Sequence, residues 1–407
     1  MATNPFTPTF GVTPPLLVGR QDEIDDFRAG LQEGVGAPER ITLVTGLRGT
    51  GKTVMLNAYE DVAKSEGWLV LSETAGKDVV DRLANTEIPN LLRTIEPNQT
   101  RSRITSLTMS GFGAQRTVTE LNEPAANLRH RMNQLLDAID PEVGVLISLD
   151  EIHRNEDLEI LGSTIQHLRR EDRNVAFVGA GLPSSMRDLL ASDQSAMFLR
   201  RADRRHLGGI EADDVRTALQ VPIVDAGRTI TPEALDVAVE GTQGYPFMVQ
   251  LVGLETWRAA RDSEQIGVEH AQRGVDRAHR KMGQLVHEPA LADLSATDRS
   301  FLAAMAQDPQ GPSRMGDIAQ RLGVDANYAS QYRIRLIDAE IIGPVGHGAV
   351  DFTMPYLREH LQRDALPGLR GASFPGRPAL GAGPSTPALG AGSGPRAARH
   401  RVGEIER

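Results

Sequence analysis

The sequence predicts an α/β protein: a parallel sheet with helices on both faces, then a helical lid, a small helix-and-strand module and a disordered tail. Three observations carry that prediction. First, between Ile41 and roughly Leu207 the apolar runs ITLVT (41–45), WLVLSE (68–73), VGVLISLD (143–150) and NVAFVGA (174–180) alternate with helical patterns, as a parallel sheet with crossover helices requires. Several runs are apolar nearly throughout, as strands covered on both faces must be. Second, from Glu211 to His287 the pattern is mostly helical, and Thr231-Pro232 followed by Glu233 marks a helix start. Third, after residue 363 the chain turns Gly- and Pro-rich and repeats PALGAG at 378–383 and 387–392. Such a segment buries too little apolar surface to offset the entropy of ordering it.

At 407 residues the chain is too long for one compact core. The composition shifts divide it into a flexible N-terminal segment (1–16), an α/β core (17–207), the lid (208–288), a C-terminal module (289–363) and the tail (364–407). Between the second and third apolar runs, RITSLTMSG and AQRTVTE alternate around Gly111-Phe112-Gly113, which predicts a β-hairpin over 103–120. The longest apolar runs fall well short of the roughly 20 residues that span a bilayer, and the N-terminus has no basic start or apolar core of a secretory signal. A cytoplasmic location is the expectation. The chain has no cysteine, which excludes thiolate chemistry, and its net charge of −10 argues against a general nucleic-acid coat. Only four lysines occur, at 52, 64, 77 and 281, so the position of Lys52 carries weight.

Residues 46–53, Gly46-Leu47-Arg48-Gly49-Thr50-Gly51-Lys52-Thr53, fit G-x-x-x-x-G-K-[ST] in full. Glycines let the backbone curl so that successive N–H groups face phosphate oxygens. The helix that follows adds the partial positive charge of its N-terminus. In this pattern Lys52 reaches the β and γ phosphates of ATP, and the Thr53 hydroxyl ligates Mg²⁺. The flanks agree with a strand before and a helix after. Such a loop needs a carboxylate at the end of another strand, and VGVLISLDEIH supplies Asp150 for the metal with Glu151 beside it as general base. His153 lies close by but reads as an ordinary surface or packing histidine, and no cluster has zinc spacing.

With these residues in hand, the chain resembles a known group. Leu17-Val18-Gly19-Arg20-Gln21-Asp22-Glu23 resembles the V-G-R-x-x-E box ahead of the P-loop in AAA+ proteins. Together with the loop, Asp150-Glu151 and Gly244-Tyr245-Pro246, it is similar to the Orc/Cdc6-like and archaeal-type ATPases, which border on the STAND signalling NTPases. The resemblance runs over about residues 15–365 and implies that Val18 and Gly19 sit near adenine, with Pro246 closing over the base. Two departures accompany it. The fourth core strand of AAA+ proteins usually ends in a polar sensor, whereas here it ends Val178-Gly179-Ala180-Gly181-Leu182-Pro183, with Ser184 and Ser185 the nearest hydroxyls. AAA+ motors also use an arginine finger, for which Arg200, Arg201, Arg204 and Arg205 are indistinguishable candidates. These departures predict slow turnover and count against a motor.

MGDIAQRLGVDANYASQYRIRLIDAEII, from Met315, resembles a helix-turn-helix, with Gly323-Val324 in the turn and a second helix from about Ala326. Two short strands around the glycines of 343–354 complete a likeness to a winged helix. In that likeness the second helix enters the major groove of double-stranded DNA, presenting Asn327, Tyr328, Ser330, Gln331, Arg333 and Arg335. The module has more Asp and Glu than Arg and no Lys, a handicap for DNA binding. A protein partner, or a second copy of the chain, is the alternative. The sequence therefore predicts an ATP-binding switch coupled to DNA, or a signalling ATPase whose C-terminal module grips protein.

Overall fold

The computed structural model describes residues 3–9, 11–95, 124–191, 199–346 and 348–363. The hairpin expected at 103–120 and the tail after 363 lie outside the described residues. Five strands form one parallel sheet: β1 (Ile41–Gly46), β2 (Leu69–Thr74), β3 (Val145–Asp150), β4 (Val175–Gly181) and β5 (Asp203–Leu207), in the order β2-β3-β4-β1-β5. The first four coincide with the apolar runs. β5, at one edge of the sheet, reads DRRHL and has no such run. Its Arg205 bonds Asp203 within the strand and Asp26 on helix Gln21–Glu33, so charged side chains cover the exposed edge.

β3 and β4 lie inside the sheet and are buried almost throughout. One face packs Leu43, Ile147, Phe177 and Leu161; the other packs Val44, Leu146, Val178 and Tyr59. All strands point the same way, so their C-terminal ends gather along one edge. Loops emerging there are where an open α/β sheet binds ligands.

The lid consists of helices Ala212–Asp225, Pro232–Glu240, Pro246–Ala259 and Val268–Met282. Thr231 caps the second as its sequence predicts, its Oγ1 accepting from the Ala234 N–H at 3.2 Å, with Pro232 in the first turn. The last helix runs on through a π turn, Gly283–His287, into Glu288–Ala292. The C-terminal module follows: helices Ala296–Met305, Met315–Leu322 and Ala326–Asp338, a small antiparallel sheet of β8 (Ser313–Arg314), β9 (Ile342–Pro344) and β10 (Ala349–Phe352), and helix Leu357–Arg363. Two-residue strands β6 (Thr229–Ile230) and β7 (Gln265–Ile266) pair within the lid. Gly323 ends the 315–322 helix at φ 66°, a left-handed position that glycine occupies without strain.

The N-terminal segment differs from the loose one expected. Phe6 is buried against helix Pro246–Ala259, where a Cβ on Gly253 would collide with its ring. A single aromatic in a Pro/Thr-rich stretch is enough to dock it. Among the described residues no helix is long and apolar enough to cross a membrane.

Candidate nucleotide site

The P-loop turns from β1 into helix Lys52–Ser65 at the sheet's C-terminal edge. Gly49 and Gly51 take φ values of 76° and 93°, which a side chain would strain. Gly46 has a different reason to be glycine, since a Cβ there would strike the Thr50 hydroxyl and the Leu207 carbonyl. Thr50 is buried and its hydroxyl donates to the Leu47 carbonyl at 2.8 Å, pinning the curl.

Lys52 folds back along the loop, its Nζ donating to the carbonyls of Gly46 (2.8 Å) and Leu47 (2.9 Å). Burial draws its ammonium below the ordinary lysine value, while the charges of Asp150 and Glu340 work in the opposite sense. Thr53 Oγ1 donates to Asp150 Oδ2 at 2.6 Å, which joins the P-loop helix to the end of β3. A hydroxyl beside a carboxylate is a donor set that suits Mg²⁺, which keeps several waters and takes its remaining ligands from substrate phosphates. No group of three or more His, Cys, Asp or Glu able to hold a metal occurs among the described residues.

Glu151 stands in left-handed backbone at φ 55°. Its neighbour explains why. Ile152 is fully buried and its N–H donates to the Ala180 carbonyl of β4 at 2.8 Å, so the chain bends sharply after Asp150 and leaves Glu151 exposed. The Glu151 N–H donates to Asp150 Oδ1 at 2.8 Å, which orients the carboxylate. Strained non-glycine backbone of this kind costs on the order of 1–3 kcal/mol and persists where surrounding structure enforces it.

A cavity of about 590 Å³ lies between core and lid, within the roughly 300–1,000 Å³ usual for small-molecule sites. Of the residues predicted from sequence, Val18, Arg48, Gly49, Thr50, Gly51, Lys52, Thr53, Asp150, Glu151 and Pro246 line it, as does His153. Gly46 and Leu47 lie behind it, holding Lys52. Gly19 is turned away, toward Asp214 of the lid, at φ 64°. Ser185, Gly181 and Leu182 reach the wall from the end of β4.

Several lining residues escaped sequence reasoning. The Tyr245 hydroxyl donates to the Arg48 carbonyl, and a Cβ on Gly49 would collide with that hydroxyl. Burial raises the Tyr245 phenol above its ordinary pKa, so it stays a donor. Arg20, from the box before the P-loop, donates to the Gly208 carbonyl at 2.8 Å, tying the core to the start of the lid. Thr7, Pro8, Thr9 and Val12 also line the cavity. The glycine-tyrosine-proline run and the box containing Arg20 carried a sequence signal; Thr7, Pro8, Thr9 and Val12 carried none.

The arginines weighed as a finger separate in the structure. Arg205 is committed to Asp203 and Asp26; Arg200 and Arg204 bond the carbonyls of Leu190 (3.1 Å) and Arg200 (3.3 Å). Arg201 is exposed. On the C-terminal module, Asn327, Ser330 and Gln331 are exposed along one face of helix Ala326–Asp338, with Ile334, 56% exposed, beside them. Tyr328 is half-buried against Tyr332, Arg333 is half-buried, and Arg335 pairs with Asp298 at 3.0 Å. The six side chains thus do not present one basic face.

Residues 16–178 match the family described as the AAA ATPase domain, and residues 284–361 match a domain of unknown function (DUF8462). No curated protein matches the chain. Among solved structures, the Walker-type ATPase PABY2304 of Pyrococcus abyssi superposes with a TM-score of 0.57 at 15% identity, over 85% of this chain and 96% of that one. The Orc2 protein of Aeropyrum pernix, solved as ADPNP–ADP complexes, superposes with a TM-score of 0.54 at 15% identity, over 88% of this chain and 96% of that one. At such identities the likeness is one of fold. By its P-loop, its parallel sheet and these superpositions, this chain has a P-loop NTPase fold similar to that of the Aeropyrum pernix Orc2 protein, and its residues 16–178 match the AAA ATPase domain family.

Proposed function

We propose that the chain is an ATP-binding, slowly hydrolysing nucleotide switch that couples its ATP state to DNA binding by a C-terminal winged helix. One observation carries this reading. Glu340, at the end of the module's helix Ala326–Asp338, reaches the core: its Oε1 accepts from the Ser184 N–H at 2.9 Å and from the Ser184 hydroxyl at 2.7 Å. Ser184 opens the helix after β4, where AAA+ proteins usually keep a γ-phosphate sensor. The other carboxylate oxygen of Glu340 is buried without a hydrogen-bond partner, and its charge is felt at Lys52.

A γ-phosphate entering beside Lys52 would meet that carboxylate as a like charge, whereas ADP would add less charge there. ATP and ADP then differ in how well they tolerate the docked module, and differential binding is all a switch requires. Driving a conformer ratio from 1:99 to 99:1 takes about 5.5 kcal/mol of preference, a sum within reach of phosphate, metal and lid contacts together. In this reading Thr53 and Asp150 hold Mg²⁺, Lys52 leaves the loop carbonyls for the β and γ phosphates, and Val18 and Pro246 flank the base. Mg²⁺ supplies charge neutralisation on the phosphates when bound. Glu151 accepts a proton from the attacking water and resets the switch. Turnover is slow in this reading because β4 itself ends apolar, the Ser184 hydroxyl beyond it is held by Glu340, and Arg205 is committed to ion pairs.

The test is DNA binding by fluorescence anisotropy between about 50 and 200 mM salt, with ADP, with ATP and with Glu151→Gln holding ATP. The switch predicts affinity that depends on the nucleotide and falls steeply with salt. Lys52→Ala should lose nucleotide binding, and Glu151→Gln should bind ATP without turning it over. A second reading has its own support: exposed Ile334 in the middle of the module's presented face favours a protein partner, as in a STAND-like signalling ATPase. Normal ATP binding with no DNA affinity in any state would select it.

A further inference from the structure

One wall of the cavity is built from the N-terminal segment. The N-terminal segment is fastened at two ends on two different bodies. At the lid end, the Asn4 amide donates to the Leu254 carbonyl at 3.3 Å, Phe6 is buried against Gly253, and the Thr7 N–H donates to Gln250 Oε1 at 3.2 Å. All three holds are on helix Pro246–Ala259. At the core end, Asn57 of the P-loop helix donates to the Gly11 carbonyl and to Thr13 Oγ1, both at 3.3 Å. Gly11 there faces the methyl of Thr53, the threonine that meets Asp150. Between the two ends Thr7, Pro8, Thr9 and Val12 line the cavity.

The two fastenings are unequal. The lid end includes a buried aromatic ring, whereas the core end consists of exposed, long hydrogen bonds that water can replace. The described residues of the segment form no helix or strand, so lifting its core end breaks little besides the Asn57 contacts. Segments with few buried contacts and no ladder are the first to open.

We propose that residues 4–9 and 11–13 form a strap that retains the bound nucleotide, hinged on the lid at Phe6 and released from the P-loop helix at Asn57, so that opening of the strap sets the rate of nucleotide exchange. The inference rests on the nucleotide reading of the cavity and adds to it a kinetic gate. It assigns Asn57 as a positioning residue for the strap, without contact to the phosphates.

Because the chain has no cysteine, the gate can be tied shut selectively. Thr13→Cys with Asn57→Cys in the full chain, joined by a short bifunctional maleimide, would hold the core end closed. The readout is the release and uptake of fluorescent ADP and ATP analogues in stopped flow. Crosslinking after loading should slow release about tenfold or more, and crosslinking the empty protein should block loading, while the uncrosslinked double variant exchanges freely. Asn57→Ala should speed release several-fold with an unchanged melting temperature. Release within twofold of the unmodified protein in both the crosslinked form and Asn57→Ala overturns the strap while leaving nucleotide binding intact. Failure of the unmodified protein to bind either analogue overturns the nucleotide reading, and the strap with it.

Discussion

The C-terminal module is held at two places, and they are built from opposite materials. Against the lid it inserts Tyr356, whose ring packs with the lid's apolar cluster and lies 4.1 Å from the His279 ring, while its hydroxyl donates to the Gly241 carbonyl at 2.7 Å. Beside it His287, fully buried in the π turn, bonds the Pro355 carbonyl at 2.9 Å. Against the core, by contrast, the module presents one carboxylate to one serine. A buried apolar seat is insensitive to what enters a distant cleft; a carboxylate next to a phosphate site is not. In the proposed switch, module and lid would therefore travel together, and the core contact would be the one that breaks.

The strongest way to break this comparison is at the lid seat. Tyr356→Ala removes a buried aromatic ring and a satisfied hydroxyl, and should cost roughly 3 kcal/mol, read as a lower midpoint in urea unfolding. Tyr356→Phe, which keeps the ring, should cost only about 1 kcal/mol. If both changes cost equally little, the lid seat is not the firm one.

Next comes acid. Burial pushes the His287 imidazole down to about 4, with the neighbouring His360 acting in the same direction and the Pro355 carbonyl bond opposing. The unfolded chain protonates this histidine near pH 6.5, so between that value and about 4 the unfolded state binds the extra proton. Stability from His287 is therefore complete above pH 6.5 and falls as the pH drops toward 4, by a few kcal/mol. Unfolding free energies measured across that window should slope accordingly, and His287→Phe should flatten the slope.

The smallest effect lies at the core contact. Glu340→Gln keeps an oxygen that can accept from Ser184 but removes the charge, so the ratio of ATP to ADP affinity should rise about fivefold or more, with melting little changed. Competitive titration of the two nucleotides measures the ratio. An unchanged ratio would make the carboxylate a cap on the 183–191 helix and nothing else.

What was legible in the sequence follows a physical rule. Local geometry is written locally: the P-loop, the Asp150-Glu151 pair at a strand end and the Thr231 cap each depend on residues within a few positions of one another. β5 was hidden because this particular edge strand is made of aspartate, arginine and histidine, which lack an apolar signature. The Glu340–Ser184 contact joins residues 156 positions apart, and nothing about either residue alone marks it. Phe6 was invisible for another reason: a composition dominated by proline and threonine suggests a loose chain, yet one ring and a facing glycine suffice to dock it. On the module, nothing in the sequence marks the pairing of Arg335 with Asp298, 37 positions away.

The contact between Tyr245 and Gly49 has a consequence for anyone probing this protein by mutation. The ring rests where a side chain on the loop would go, which makes the tyrosine a mechanical stop and the glycine its recess. A larger residue at Gly49 would push against that stop as well as strain the loop backbone. Such a variant would therefore report on a jaw that no longer shuts together with a bent loop, and relieving the stop by Tyr245→Ala would tell the two apart.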